Sequence, residues 1–202
     1  LYASHSANVL QDPARENLKG FTVSGEGLEN NELLYELLTD MAWSRTPIDL
    51  DAWTVRYCRN RYGECPDAVA NAWNLLLKGC YGNLKPHPGY QWQHFGGLDR
   101  NPNFFEAATL FLSASDRLEH SLAYRADAVE FAALALSLKA DQWYDLVRKA
   151  SAENDAAVFD KASARTLALL TQIDRLMESH PYHRRERWID FARAHSADPE
   201  LQ

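Results

Sequence analysis

The chain has 202 residues, 46% hydrophobic and 24% charged, a balance that suits one domain or one and a half with a buried core. Its net charge of −7 argues against a nucleic-acid partner, which calls for a basic stripe. No apolar run reaches the roughly 20 residues that a membrane-spanning helix requires.

Six Trp, nine Tyr and eight Phe form a heavy aromatic load, suited to building a core and equally to lining a sugar or nucleobase site. The three cysteines, Cys58, Cys65 and Cys80, make neither a CxxC pair nor a metal spacing, and their odd number implies no disulfide framework. Leu1 opens a segment with no basic-then-apolar signal, so the expectation is a fragment or processed piece of a larger protein.

In chain order, "GFTVS" at 20–24 is the one convincing β-favouring run. Directly after it, Glu26 stands between Gly25 and Gly27. Two readings are open: a solvated turn residue, or a carboxylate presented at a strand end, where barrel enzymes keep their chemistry. Helical periodicity then begins. Leu33, Leu34, Leu37, Leu38, Met41 and Ala42 share one face of a helix predicted over 29–43, with Asn30 or Asn31 as its N-cap.

A second helix is predicted from about Leu50 to Tyr62, started by Asp49 or Asp51 and ended by Gly63 in a left-handed cap. A third begins with Pro66 at its first position and buries Val69, Ala72, Trp73, Leu76, Leu77 and Cys80. Residues 81–103 hold too many glycines and prolines for regular structure. Long loops of this kind are often functional. This one carries His87, Tyr90, Trp92, His94 and Phe95, which suit either a sugar-stacking rim or the pinning of a loop to a bundle.

Further helices are predicted at about 103–116, 121–149, 155–179 and 184–195. In the third of these, Phe159, Ala162, Thr166, Leu169, Leu170, Ile173, Leu176 and Met177 lie on one side. No solenoid period recurs, which disfavours a repeat array. "HPYHRRERW" at 180–188 admits a metal or anion site. Two histidines three apart without carboxylate or thiol partners are a weak metal pattern, so a solvated turn with a basic helix start is expected.

The order "GEGLENNELLYELL", "W", "PIDLDAW", "RYG", "PDAVANAWNLLLKGCY" resembles the region after the barrel nucleophile in family 89 glycoside hydrolases, the α-N-acetylglucosaminidases. Glu26, Gly27, Asn31, Glu32, Tyr35, Trp43, Trp53, Arg61, Tyr62, Gly63, Pro66 and Trp73 fall in step with that pattern. Two positions depart from it: Gly25 stands where the family has Pro, and Leu28 where it has Ile.

The resemblance implies a mainly α fold: residues 1–45 are the end of a (β/α) barrel (strand, Glu-bearing loop, helix), and 46–202 an all-α C-terminal domain. It implies that Glu26 is the nucleophile of a retaining exo-glycosidase acting on terminal α-linked N-acetylglucosamine, for instance on heparan-type or mucin-type glycans. Such chemistry uses a second carboxyl group about 5 Å away, which the resemblance puts on an earlier barrel strand, so this chain alone is expected to be inactive. Asn31 would cap its helix, Glu32 would complement the helix dipole, and both would support the Glu26 loop. His87, His94, Tyr90 and Trp92 would approach the sugar. The implied partners are the carbohydrate and the upstream barrel domain, with no metal or organic cofactor. The compartment would be lysosomal, secreted or periplasmic. The rival reading is a non-catalytic helical binding or scaffolding module related to the same domain.

Overall fold

The computed structural model describes residues 32–78 and 102–195, with positions 9, 12, 14, 17 and 22 in isolation. Among the described residues every regular element is helical, in agreement with a mainly α fold. Of the expected strand at 20–24 only Thr22 is described, exposed and in no regular element, and the rest lies outside the described residues. The chain divides into two compact units, 1–60 and 61–202.

In the first unit, α1 (Glu32–Trp43) turns Leu33, Leu37 and Met41 inward at helical spacing. Helix α2 (Leu50–Tyr62) starts at Asp49, whose Oδ1 accepts from the backbone N–H groups of Asp51 and Ala52 at 3.1 and 3.3 Å. Trp53, Thr54, Tyr57 and Cys58 of α2 are buried, with the Trp53 and Tyr57 rings stacked at 5.4 Å. Asp40 joins the two helices: it accepts from the Trp53 indole at 2.7 Å and from Arg56 at 2.9 Å.

The second unit begins with the last two residues of α2, Arg61 and Tyr62. Gly63 ends that helix at a φ of 93°, as its sequence position predicts. Helix α3 (Asp67–Lys78) starts one residue later than predicted, because the Pro66 carbonyl already accepts from the Val69 and Ala70 N–H groups. Val69, Ala72, Trp73 and Leu76 are buried, Leu77 is half-buried, and Cys80 lies outside the described residues.

The single helix predicted over 103–116 is instead two, α4 (Pro102–Leu112) and α5 (Ser115–Leu118). The Ser113 hydroxyl donates to the Leu110 carbonyl at 2.7 Å, and the Tyr124 phenol takes the Phe111 carbonyl at 2.7 Å. Side-chain donors thus satisfy the carbonyls that a continuing helix would have used.

Ser121 caps α6 (Leu122–Glu153), which ends four residues later than predicted and is about 48 Å in length. Asn154 stops it in the left-handed conformation, at φ 57° and ψ 31°. The Asp155 N–H returns to the Ala150 carbonyl at 2.9 Å, and the Asp155 side chain then caps α7 (Ala156–Glu178). A two-residue link between long helices makes α6 and α7 an antiparallel hairpin. A 3₁₀ turn, Pro181–His183, leads into α8 (Arg185–Ala194).

The core of this unit is aromatic. Phe111 is fully buried and meets Tyr62, Trp73, Tyr124 and Phe131 with ring centroids 4.8 to 6.2 Å apart, mostly edge to face. The predicted apolar face of α7 is only partly covered: Ala162 is buried, whereas Phe159 and Leu170 are exposed.

Candidate functional site

Of the proposed catalytic, sugar-contacting and supporting residues, Glu32 alone is described. It is exposed in the first turn of α1, where a carboxylate complements the helix dipole. Glu26, Asn31, His87, Tyr90, Trp92 and His94 lie outside the described residues. Among the described residues no group of His, Cys, Asp and Glu side chains is arranged to hold a metal, and no helix is long and apolar enough to cross a membrane.

The "RYG" segment, by contrast, is placed in full. Arg61 donates to Asp127 through Nε and Nη2, each at 2.7 Å, and the Tyr62 phenol donates to Asp127 Oδ2 at 2.8 Å. Asp127 on α6 is buried, so its charge is out of water and held by three donors. Ring contacts carry the same anchorage further, since Tyr62 also meets Tyr124 at 5.9 Å. Burial pushes the Tyr124 phenol up to about 12. These groups hold structure and orientation rather than a reacting atom.

Sequence reading missed Asp127. Its signal is visible in retrospect: it sits three residues after Tyr124 and four before Phe131, on the face that α6 buries, where a carboxylate requires a partner. Glu64 and Arg117 form a second pair nearby in the chain, more exposed, with Nε to Oε2 at 2.8 Å. The hydrogen bond from Arg117 holds the Glu64 carboxyl below its ordinary value.

Comparison with known proteins extends this picture. Residues 53–202 match the model of the alpha-N-acetylglucosaminidase (NAGLU) C-terminal domain. Human alpha-N-acetylglucosaminidase is 30% identical over 191 residues, which cover 87% of this chain and 25% of that protein. A family 89 glycoside hydrolase from Clostridium perfringens, solved with 2-acetamido-1,2-dideoxynojirmycin, superposes with a TM-score of 0.71 at 25% identity over 83% of this chain. The form of the same family solved with its substrate GlcNAc-alpha-1,4-galactose superposes with a TM-score of 0.75 at 26% identity. The chain spans 21% of the length of each of these solved chains. With three quarters of its residues matched by the family model and its helices superposed on solved members, the chain belongs to the alpha-N-acetylglucosaminidase C-terminal domain family.

Proposed function

We propose that this chain is the C-terminal part of a retaining exo-glycosidase that hydrolyses terminal α-linked N-acetylglucosamine from glycans. The observation that carries this reading is the family match over residues 53–202, joined to 30% identity with the human enzyme. In this reading residues 1–45 close a catalytic barrel, Glu26 attacks the anomeric carbon, and the glycosyl-enzyme so formed is released by water. The second carboxyl group, supplied by the upstream barrel, protonates the leaving oxygen and then activates that water. Asn31 and Glu32 support the Glu26 loop, and the 81–103 loop with His87, Tyr90, Trp92 and His94 reaches the sugar.

The role of 46–202 is then to support the catalytic barrel of the same protein. Exposed Leu167 and Leu170, one turn apart on α7, and exposed Trp188 and Phe191, with rings 6.3 Å apart on α8, support a partner domain, since neighbouring apolar side chains on a surface mark protein contacts. The test is hydrolysis of p-nitrophenyl α-N-acetylglucosaminide by the full-length protein and its Glu26→Gln variant. The wild type is expected to turn over and the variant to fall at least about a thousandfold. Equal rates end the nucleophile assignment; an inactive wild type ends the substrate assignment in favour of the scaffolding reading.

A further inference from the structure

Helix α8 has little to hold it in place. All ten of its residues are exposed, Trp188 and Phe191 among them, and a helix of that length is marginal in water on its own. Its attachment runs through the 3₁₀ turn Pro181–His183 that precedes it. His183 fastens that turn to α6, its Nε2 lying 3.2 Å from the Ala126 carbonyl. Arg184 donates through Nε to the Glu178 carbonyl at 2.9 Å, and Arg187 reaches back over the Tyr182 ring at 5.0 Å.

His180 sets the conformation of the turn. Its Nδ1 accepts from the Tyr182 N–H at 3.2 Å, which places the proton of the neutral ring on Nε2. That Nε2 is shut off from solvent and meets no acceptor. The closed turn therefore suits the neutral ring alone. A proton added at Nδ1 would set two donors against each other at the Tyr182 amide, and the imidazolium charge would find no acceptor at either nitrogen.

The charges that bear on the ring work in the same direction. Arg125 comes from α6, His183 from the turn, and Arg184 and Arg187 from the start of α8, all of them cationic or made so by acid. Of the carboxylates on the neighbouring elements, exposed Glu119 lines the groove beside the turn, exposed Glu178 ends α7, and Glu186 is paired with Arg185 at 3.2 Å. None of them hydrogen-bonds the His180 ring. Desolvation first, then repulsion from His183, Arg125, Arg184 and Arg187, holds the ring below its ordinary value.

We propose that the turn is an acid-opened latch: protonation of His180 removes the acceptor of the Tyr182 N–H, and the turn releases α8 from α6 as the medium acidifies. The proposal does not rest on the glycosidase reading, and its test needs no turnover. In the opened turn the ring is solvated and titrates near the ordinary 6.5, whereas in the closed turn it takes up a proton only at lower pH. Above that range both states are neutral and the latch stays shut. Below about pH 6.5 the opened turn binds the proton that the closed turn refuses, so each further pH unit favours opening by up to about tenfold until the closed turn too is protonated.

Amide hydrogen exchange on the full-length protein across about pH 7.5 to 5, with rates corrected for the intrinsic effect of pH, tests it. Amides of 180–194 are expected to lose about tenfold in protection at the low end, while those of α3 keep theirs. His180→Asn keeps a side-chain acceptor for the Tyr182 N–H and cannot take up a proton, so its 180–194 amides are expected to stay protected throughout. Arg125→Gln removes one of the repelling charges and is expected to shift the loss to lower pH. Four results would each overturn the proposal: unchanged protection of 180–194 in the wild type, an acid loss in His180→Asn as large as the wild type's, a loss in Arg125→Gln at unchanged pH, or a loss that spreads equally through α3.

Discussion

Arg61 holds Asp127 by two parallel hydrogen bonds of 2.7 Å each, across 66 positions of sequence, and both groups are largely withdrawn from water. The planar fork of the guanidinium matches the carboxylate, and Tyr62 completes its shell. Breaking such a pair from one side strands a charge in the interior, which costs more than the intact pair contributes. Asp127→Ala is therefore expected to destabilise the protein by about 3 kcal/mol, and Arg61→Lys by about half as much. The double variant Arg61→Met with Asp127→Leu should recover part of that loss, because it leaves no stranded charge. Denaturant unfolding of the four proteins checks this; additive losses in the double variant would contradict it.

Asn154 carries the tightest backbone requirement among the described non-glycine residues, since it has the positive φ that lets α6 turn back into α7. Asn154→Gly is expected to leave stability within about 0.5 kcal/mol of the wild type, as glycine reaches this conformation freely. Asn154→Ala should cost about 1 kcal/mol or slightly more, because a Cβ there crowds the carbonyl without the polar side chain that eases it. Midpoints of thermal unfolding would rank the three, and an alanine variant as stable as wild type would show that the turn relaxes.

Tyr124 predicts how stability responds to alkali. Its phenol is raised from 10.0 to about 12 in the folded state, with desolvation as the cause. Below pH 10 both states are protonated, so the shift leaves stability untouched. Between about pH 10 and 12 the unfolded chain releases the proton and the folded chain retains it, and stability falls as pH rises. Tyr124→Phe should flatten that part of the profile while lowering stability at neutral pH, since the buried phenol no longer donates to the Phe111 carbonyl. Unfolding midpoints measured from pH 8 upward in both proteins decide it; parallel profiles would remove Tyr124 from the alkaline transition.

Much of the helical layout was legible in residue order. Asp49 as a cap, Gly63 as a left-handed stop, and the spacing of Leu33, Leu37 and Met41 act through backbone groups within one or two turns. Such signals are complete in the local sequence. The break at Ser113 and Ala114 was not, because half of it comes from Tyr124, which reaches the Phe111 carbonyl from another helix. The apolar stripe of α7 showed which residues share a side but not how far that side would be covered, since exposure of Phe159 and Leu170 depends on what packs there. For the groups proposed to reach the sugar the order is reversed: Glu26 and the 81–103 loop are proposed from the resemblance of their motifs and lie outside the described residues.

The sequence by itself determined that this chain is helical, where most helices begin and end, and which enzyme family its motifs resemble. Those features rest on hydrogen bonds and side-chain spacing a few residues long, and on matched motif order. Only the tertiary structure decided that Arg61 and Tyr62 answer Asp127, and that His180 turns a buried N–H toward no acceptor among arginines from two helices. The reason is physical. A charge or a donor in water needs no particular partner, and folding alone, by removing that water, makes the presence or absence of one count.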